Sequence, residues 1–403
     1  MKKFTSILII LIMMFYAVPA NVAAKAIVPT VSADSAILMD GDSGEILYSK
    51  NENTAYPPAS TTKIMTALLT FENCKLDDIV TVGKNPPLAD GSKIYIFEGE
   101  KLTVKDLLYG LLLPSANDCA EALAEHISGS IEAFATLMNK RAKELGCENT
   151  NFVNPSGLYD VNHKTSAKDL ALIMRELSKY KEYSTIATTL SYKIAPTNKS
   201  TLERPLWNEN KLIQKNSGYY YPLCIGGKTG YTVQSSHSYV SVSEKDGHRL
   251  IVALVHDPNK TFFQDAKALF DYGYNNYDYV KAFSKDSLVA NYTNNDTTIP
   301  LLAEKDFFYV KEKGTNPKVS VKLLDKDLSL RYFSKGDTVT TADIYLDNKK
   351  VGTLNLKSDA NHKLTKMIIG NKYYLSGTVV AALLLFSLVS ILIFLKRKKL
   401  RDR

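Results

Sequence analysis

From Leu375 to Leu395 the chain carries no charged residue, and six basic side chains with one acidic one follow before it ends at Arg403. As a helix this run would span about 30 Å, the thickness of a bilayer's hydrocarbon core. The basic cluster behind it, residues 396–403, is expected on the cytoplasmic side. At the other end Lys2 and Lys3 precede an uncharged run from Phe4 to Tyr16 and small residues at Val22-Ala23-Ala24, the pattern of a secretory signal over residues 1–24. Whatever folds between these ends is therefore expected to be exported, tethered by a transmembrane helix at 375–395 through a short linker at 367–374.

The two ends also explain the charge. Of the formal +8, the last eight residues hold +5 and the first three +2, which leaves about +1 on residues 25–374. A nearly neutral ectodomain offers no electrostatic footprint for nucleic acid. Cys74, Cys119, Cys147 and Cys224 form no close cluster, so a zinc site is not indicated; whether any two pair is open.

Residues 25–278 alternate strand and helix patterns. Ala36–Met39 and Glu45–Tyr48 flank Asp40-Gly41-Asp42-Ser43-Gly44, which reads as a hairpin. Gly41-Asp42-Ser43-Gly44 resembles the nucleophile segment of chymotrypsin-like proteases, but those place histidine and aspartate before the serine, and the first histidine here is His126. Tyr56-Pro57-Pro58-Ala59 then forces an extended approach to an apolar run, so a helix is expected from about Ser60. Lys63 would lie one turn from the Ser60 hydroxyl, and a neutral amine there could activate it as a nucleophile. The same Ser-x-x-Lys spacing recurs at Ser178 and Lys181, where an ordinary exposed helix is expected.

A strand is expected over Asp78–Val82 and helices over Lys101–Leu113, Cys119–His126 and Ile131–Leu145. Ser115 and Asn117, between the first two helices, could reach a cleft or simply cap the helix that follows. Asn154-Pro155-Ser156-Gly157-Leu158 reads as a turn, His163 as loop support, and Thr165–Leu170 as the capped start of a helix running to about Tyr180. Residues 186–222 read as loop with short strands. Ile225-Gly226-Gly227-Lys228-Thr229-Gly230-Tyr231-Thr232 suggests a strand edge where backbone approaches a ligand closely, with Lys228 and Thr229 suited to an anionic group. Strands at Ser238–Ser243 and Arg249–Val255 and a helix at Phe262–Tyr272 follow. Residues 279–366 change to short alternating runs (Leu288–Tyr292, Phe307–Lys311, Val319–Leu324, Thr338–Leu346, Lys350–Leu356), a small all-β module.

Ser60-x-x-Lys63, Ser115-x-Asn117 and Lys228-Thr229-Gly230, in that order in an exported chain, resemble the motif set of the penicillin-recognising serine enzymes. From about residue 30 to 357 the chain is similar to the D-alanyl-D-alanine carboxypeptidases, low-molecular-mass penicillin-binding proteins of peptidase family S11. The resemblance implies an α+β fold of the β-lactamase and transpeptidase type, an antiparallel sheet between helical layers, followed by the β module as a stalk. It implies an acyl-enzyme on Ser60 with Lys63 as base, Ser115 relaying a proton and Asn117 orienting Lys63. Lys228, Thr229, Gly230 and Tyr231 would bind substrate, with the backbone N–H groups of Ser60 and Tyr231 as oxyanion hole. The expected substrate is the peptidoglycan stem peptide, the expected inhibitors β-lactams and the expected location the outer face of a bacterial cytoplasmic membrane; no metal or organic cofactor is required. DD-endopeptidase, serine β-lactamase and an inactive wall-binding scaffold are the alternatives. Two departures stand out: Ser235-Ser236 replaces a frequent Ala-Gly, and Thr261-Phe262-Phe263 stands where many relatives carry an arginine that helps bind the substrate carboxylate, with only Lys260 near.

Overall fold

The computed structural model describes residues 27–294, 297–324, 327–329, 331–363 and 381–393. The expected signal at 1–24, linker at 367–374 and basic tail lie outside them. The chain divides into two compact units, one reaching Asp278 with Glu312–Gly314 added, the other formed by Tyr279–Lys311 and the residues from Thr315 onward.

In the first unit β1 (Ser35–Asp40) and β2 (Ile46–Lys50) make the expected hairpin. Asp40 accepts both the N–H and the hydroxyl of Ser43, which makes Ser43 a turn residue. A 3-10 turn at Ala59–Thr62 opens into α1 (Lys63–Asn73). Then come β3 (Ile79–Thr81) and β4 (Lys101–Thr103), α2 (Val104–Leu112), α3 (Asn117–Ser128), α4 (Ile131–Glu144), α5 (Ala167–Leu177) and α6 (Lys181–Ala187). A hairpin of β5 (Ser191–Ile194) and β6 (Arg204–Trp207) precedes β7 (Cys224–Thr232), β8 (Ser236–Lys245), β9 (His248–Asp257) and α7 (Phe262–Asn276).

One antiparallel sheet, in the order β2-β1-β9-β8-β7, organises the unit. Its central strand β9 reads Leu250-Ile251-Val252-Ala253-Leu254-Val255 without polar alternation because both faces are covered. Ile251, Ala253 and Val255 join the core built with α1 to α5, while Leu250 packs against Gly273 of α7. Helix α1 is buried at every position from Lys63 to Thr70, so it runs through the middle of that core. All four cysteines are free thiols.

Several boundaries differ from expectation for local reasons. The α helix begins at Lys63 and Ser60 sits in the preceding 3-10 turn. Lys101–Thr103 is strand, because Thr103 and Asp106 form a capping box that starts α2 at Val104.

Strand β10 (Tyr277–Phe283) pairs with β13 (Phe307–Glu312), and in the second unit β11 (Leu288–Asn294), β12 (Thr297–Ala303), β14 (Val319–Leu323), β15 (Thr338–Leu346) and β16 (Lys349–Ser358) form a sheet ordered β11-β12-β16-β15-β14. Strand β12 is not among the runs expected from the sequence, and it carries Pro300, a residue disfavoured in an interior strand. Its carbonyl nevertheless accepts the Asp359 N–H, and Ile299 and Leu301 are buried in the module's core. Of the run 375–395, residues 381–393 are described and helical. No helix among the described residues is long and apolar enough to cross a membrane, so the expected span is not seen as such.

Candidate active site

The turn that carries Ser60 is held from several directions. Tyr56 exchanges backbone hydrogen bonds with Thr165, which fixes the approach through the two prolines. Ala59 then takes a left-handed conformation (φ +50°), a strained state for a residue with a Cβ. The strain is enforced by close neighbours. A Cβ on Gly157 would lie 1.8 Å from the Ala59 carbonyl oxygen, and one on Gly230 would lie 2.8 Å from the Pro58 oxygen and 3.0 Å from the Ser60 nitrogen. Glycine at both positions lets the 154–158 turn and strand β7 grip the Ser60 backbone. His163 adds a third grip. Its Nδ1 accepts the Val153 N–H, so Nε2 carries the hydrogen and donates to Thr62 Oγ1 at 2.9 Å. Burial pushes its pKa down to about 4 and keeps it neutral.

Lys63 is the hub. It is fully buried, and its Nζ lies 3.0 Å from Ser60 Oγ, 2.6 Å from Asn117 Oδ1 and 2.7 Å from the Ser156 carbonyl oxygen. Burial, reinforced by the Lys228 charge, holds its pKa well below the usual lysine range. A neutral amine has two N–H donors and one lone pair. Two of the three partners, the Asn117 amide oxygen and the Ser156 carbonyl, can only accept. The N–H groups are thereby taken, and the lone pair is left for the Ser60 hydroxyl.

Asn117 is the first residue of α3, and its Nδ2 donates to the Asp90 carbonyl, so its oxygen is aimed at Lys63. Ser115 does not cap the helix: the N-cap is Ala116 and no side-chain capping bond forms. It sits in a left-handed conformation (φ +65°), 5% exposed, with its Oγ lacking any hydrogen-bond partner. A buried hydroxyl left unpaired is costly, and this one lines the same cleft as Ser60.

Lys228 projects from β7, buried, with Nζ donating to the Thr229 carbonyl at 2.8 Å; burial lowers its pKa to about 8, against a smaller raising effect of Glu209. A cleft of about 700 Å³ opens over these groups, lined among others by Ser60, Ser115, Thr229, Gly230 and Tyr231. Tyr231 is exposed and stacked on His237 at 4.4 Å. Phe262 and Phe263, at the position noted above for its lack of arginine, line the cleft with Lys260. Among the described residues no group of His, Cys, Asp and Glu could hold a metal ion.

The structure thus brings together Ser60, Lys63, Ser115, Asn117, Lys228, Thr229, Gly230 and Tyr231, from three separate segments. The Ser178 and Lys181 repeat takes no part. Sequence reasoning missed the Ser156 carbonyl, because a backbone oxygen leaves no residue-type signal, and placed His163 as loop support without its bond to Thr62. It also missed Glu209, in a segment read only as loop.

Comparison with known proteins agrees with this geometry. The family model for D-alanyl-D-alanine carboxypeptidase, peptidase S11, matches residues 21–259, and that for the C-terminal domain of penicillin-binding protein 5 matches 277–364. The chain is 35% identical over 303 residues to D-alanyl-D-alanine carboxypeptidase DacF of Bacillus subtilis, covering 72% of this chain and 75% of that protein. It is 31% identical over 349 residues to DacA of Haemophilus influenzae, covering 82% and 85%. Among solved structures, penicillin-binding protein 5 of Haemophilus influenzae superposes with a TM-score of 0.68 at 29% identity, covering 83% of this chain and 98% of that one. The Streptomyces K15 DD-transpeptidase superposes at 0.56 and 29%, covering 61% and 98%. With a family model over more than half its length and relatives above 30% identity across most of it, the chain belongs to the D-alanyl-D-alanine carboxypeptidase family, peptidase S11.

Proposed function

We propose that the chain works as a serine D-alanyl-D-alanine carboxypeptidase with Ser60 as nucleophile and Lys63 as general base. The observation that carries the assignment of roles is the hydrogen-bond geometry of Lys63: two obligate acceptors and the Ser60 hydroxyl around one buried amine. Ser60 Oγ attacks the carbonyl of the penultimate D-alanine as its proton passes to Lys63 Nζ. The C–N bond of the tetrahedral intermediate then breaks, the leaving amine takes a proton by way of Ser115, and terminal D-alanine departs. Water returns the acyl group from Ser60 as a carboxylate, with Lys63 again accepting the proton. The unpaired Ser115 hydroxyl suits the relay, since it owes no bond to the protein.

The backbone N–H groups of Ser60 and Tyr231 serve as oxyanion hole, and the close approach of Gly230 to the Ser60 nitrogen supports their convergence. Lys228 supplies positive potential and Thr229 a hydroxyl for the departing residue. β-Lactams acylate the same serine. The uncharged run 375–395 and its basic tail make the enzyme a single-pass protein, held with its catalytic unit on the extracytoplasmic face. Labelled benzylpenicillin should be trapped on the peptide containing Ser60, as read by mass spectrometry. Label on Ser43 or Ser115, or persistent labelling of Ser60→Ala, would overturn the assignment.

A further inference from the structure

A carboxypeptidase has to hold a carboxylate at the leaving-group end of its cleft, and the groups around Thr229 do not suffice for that. The Thr229 hydroxyl is turned to Glu209, with Oγ1 3.5 Å from Oε2, so an acid placed there displaces that bond and meets a like charge. Lys228 Nζ is engaged with the Thr229 carbonyl. Phe262 and Phe263 offer no donor; both are buried, with their rings 5.5 and 5.0 Å from that of Tyr239. A terminal carboxylate therefore needs a cation from elsewhere on the cleft wall. Among the described residues that line it, Lys211 and Lys260 carry the available ammonium groups.

Lys260 is the better placed of the two. Lys211 holds its ammonium over the Tyr219 ring, 5.9 Å from the centroid, and stands two residues from Glu209. Lys260 is exposed and makes no hydrogen bond or ion pair among the described residues. Its backbone is fixed all the same. It takes a left-handed conformation (φ +58°), and the buried Asp257 carboxylate accepts the N–H groups of Asn259 and Thr261 on either side of it, while Asn259 Nδ2 donates to Ser32 Oγ. A flexible four-carbon stem thus swings from a rigid base at the cleft. Its charge is felt on the cleft wall: burial, and after it the Lys260 charge, lower the pKa of His237, whose ring stacks on Tyr231 at 4.4 Å. We propose that Lys260 holds the terminal carboxylate of the leaving residue, where Phe262 and Phe263 supply no donor, and so makes the cleft select peptides with a free C-terminus. The inference rests on the reading of this cleft as a carboxypeptidase site and names the side chain that recognises the end of its substrate.

The test uses two N-acylated peptides ending in D-Ala-D-Ala, identical except that one bears a free carboxylate and the other a primary amide. kcat/KM is measured at pH 7 with the full chain and with Lys260→Ala, Lys260→Arg and Lys211→Ala. The wild type should favour the acid. Lys260→Ala should cut the acid-to-amide ratio about tenfold, Lys260→Arg should keep it, and Lys211→Ala should leave it where it is. Rising salt should narrow the ratio in the wild type and not in Lys260→Ala. A ratio that survives Lys260→Ala would overturn the proposal. So would an equal loss on both peptides, which would make Lys260 only a support of its turn, or a loss of the ratio in Lys211→Ala instead. Acylation of wild-type Ser60 by an ester with an uncharged leaving group separates the two levels of failure. If the ester acylates Ser60 and the ratio ignores Lys260, the carboxylate contact is wrong and the nucleophile stands; if nothing acylates Ser60, the reading of the site falls and the proposal with it.

Discussion

Replacing Lys228 with methionine should stabilise the protein and disable it together. The Lys228 ammonium is 2% exposed, and burial lowers its pKa from the usual 10.5 to about 8. At 1.36 kcal/mol per pH unit that gap corresponds to roughly 3 kcal/mol spent on holding the charge in place. Methionine replaces the four-atom stem of the side chain and removes the charge, while the bond from Nζ to the Thr229 carbonyl is lost at a cost of about 1 kcal/mol. The variant should therefore gain about 2 kcal/mol near pH 7. The sign with pH follows from linkage. Between pH 8 and 10.5 the unfolded chain binds a proton that folded wild type does not, so the wild type gains stability as pH rises. The advantage of the variant is full below pH 8 and fades across that window. Catalysis moves the other way: kcat/KM of the wild type should fall as pH passes about 8, and Lys228→Met should lose roughly 100-fold. Because the Lys228 charge also depresses the Lys63 pKa, the acid limb of the variant should shift to higher pH. Urea denaturation at pH 7 and 10, with D-alanine release across pH 5 to 10, measures each part. A variant less stable at pH 7, or one with full activity and unmoved limbs, would refute the reasoning.

Three further outcomes are expected. Ser115→Ala should leave thermal stability unchanged or slightly higher, since the hydroxyl has no partner to lose, while kcat/KM falls about 10²- to 10⁴-fold. Gly157→Ala should cost roughly 3 kcal/mol or more and slow penicillin acylation, because the new Cβ would overlap the Ala59 carbonyl at a φ of +86°; a neutral effect in a melting assay would show that the Ser60 turn is not gripped there. His163→Gln should flatten the acid side of the stability curve: the folded pKa of about 4 lies below the free value of 6.5, so the wild type loses about 3 kcal/mol as pH falls from 6.5 to 4 and the variant does not.

What the sequence made legible follows from where its constraints are local. The prolines before Ser60, the capped starts of helices and the uninterrupted apolar run of β9 each encode their structure within a few residues. The lysine at i+3 from Ser60 likewise follows from helical spacing, and 3.0 Å separates the two groups even though a 3-10 turn intervenes. Long-range relations were not written that way. Asn117 reaches Lys63 across 54 residues of sequence, a link only the resemblance to other proteins supplied beforehand, and Ser156 reaches it across 93, a link nothing in the sequence supplied. Whether Ser115 capped a helix or faced a cleft could not be decided from composition, because both uses favour the same residue; its left-handed backbone and unpaired hydroxyl decide it. Glu209 escaped notice because its place at the cleft is set by two buried asparagines beside it and a threonine 20 residues away. In the β module, β12 is set by pairing with β11 on one side and by Leu301–Ala303 meeting Leu356–Ser358 on the other, relations that no local run of residues records.

The central claim is most directly tested by measuring D-alanine released from a soluble pentapeptide ending in D-Ala-D-Ala, with the wild-type chain and Ser60→Ala side by side. Stoichiometric release by the wild type and none by the variant is the outcome this structure requires. Release that persists in Ser60→Ala, or a wild type that neither releases D-alanine nor takes up penicillin at Ser60, would contradict it.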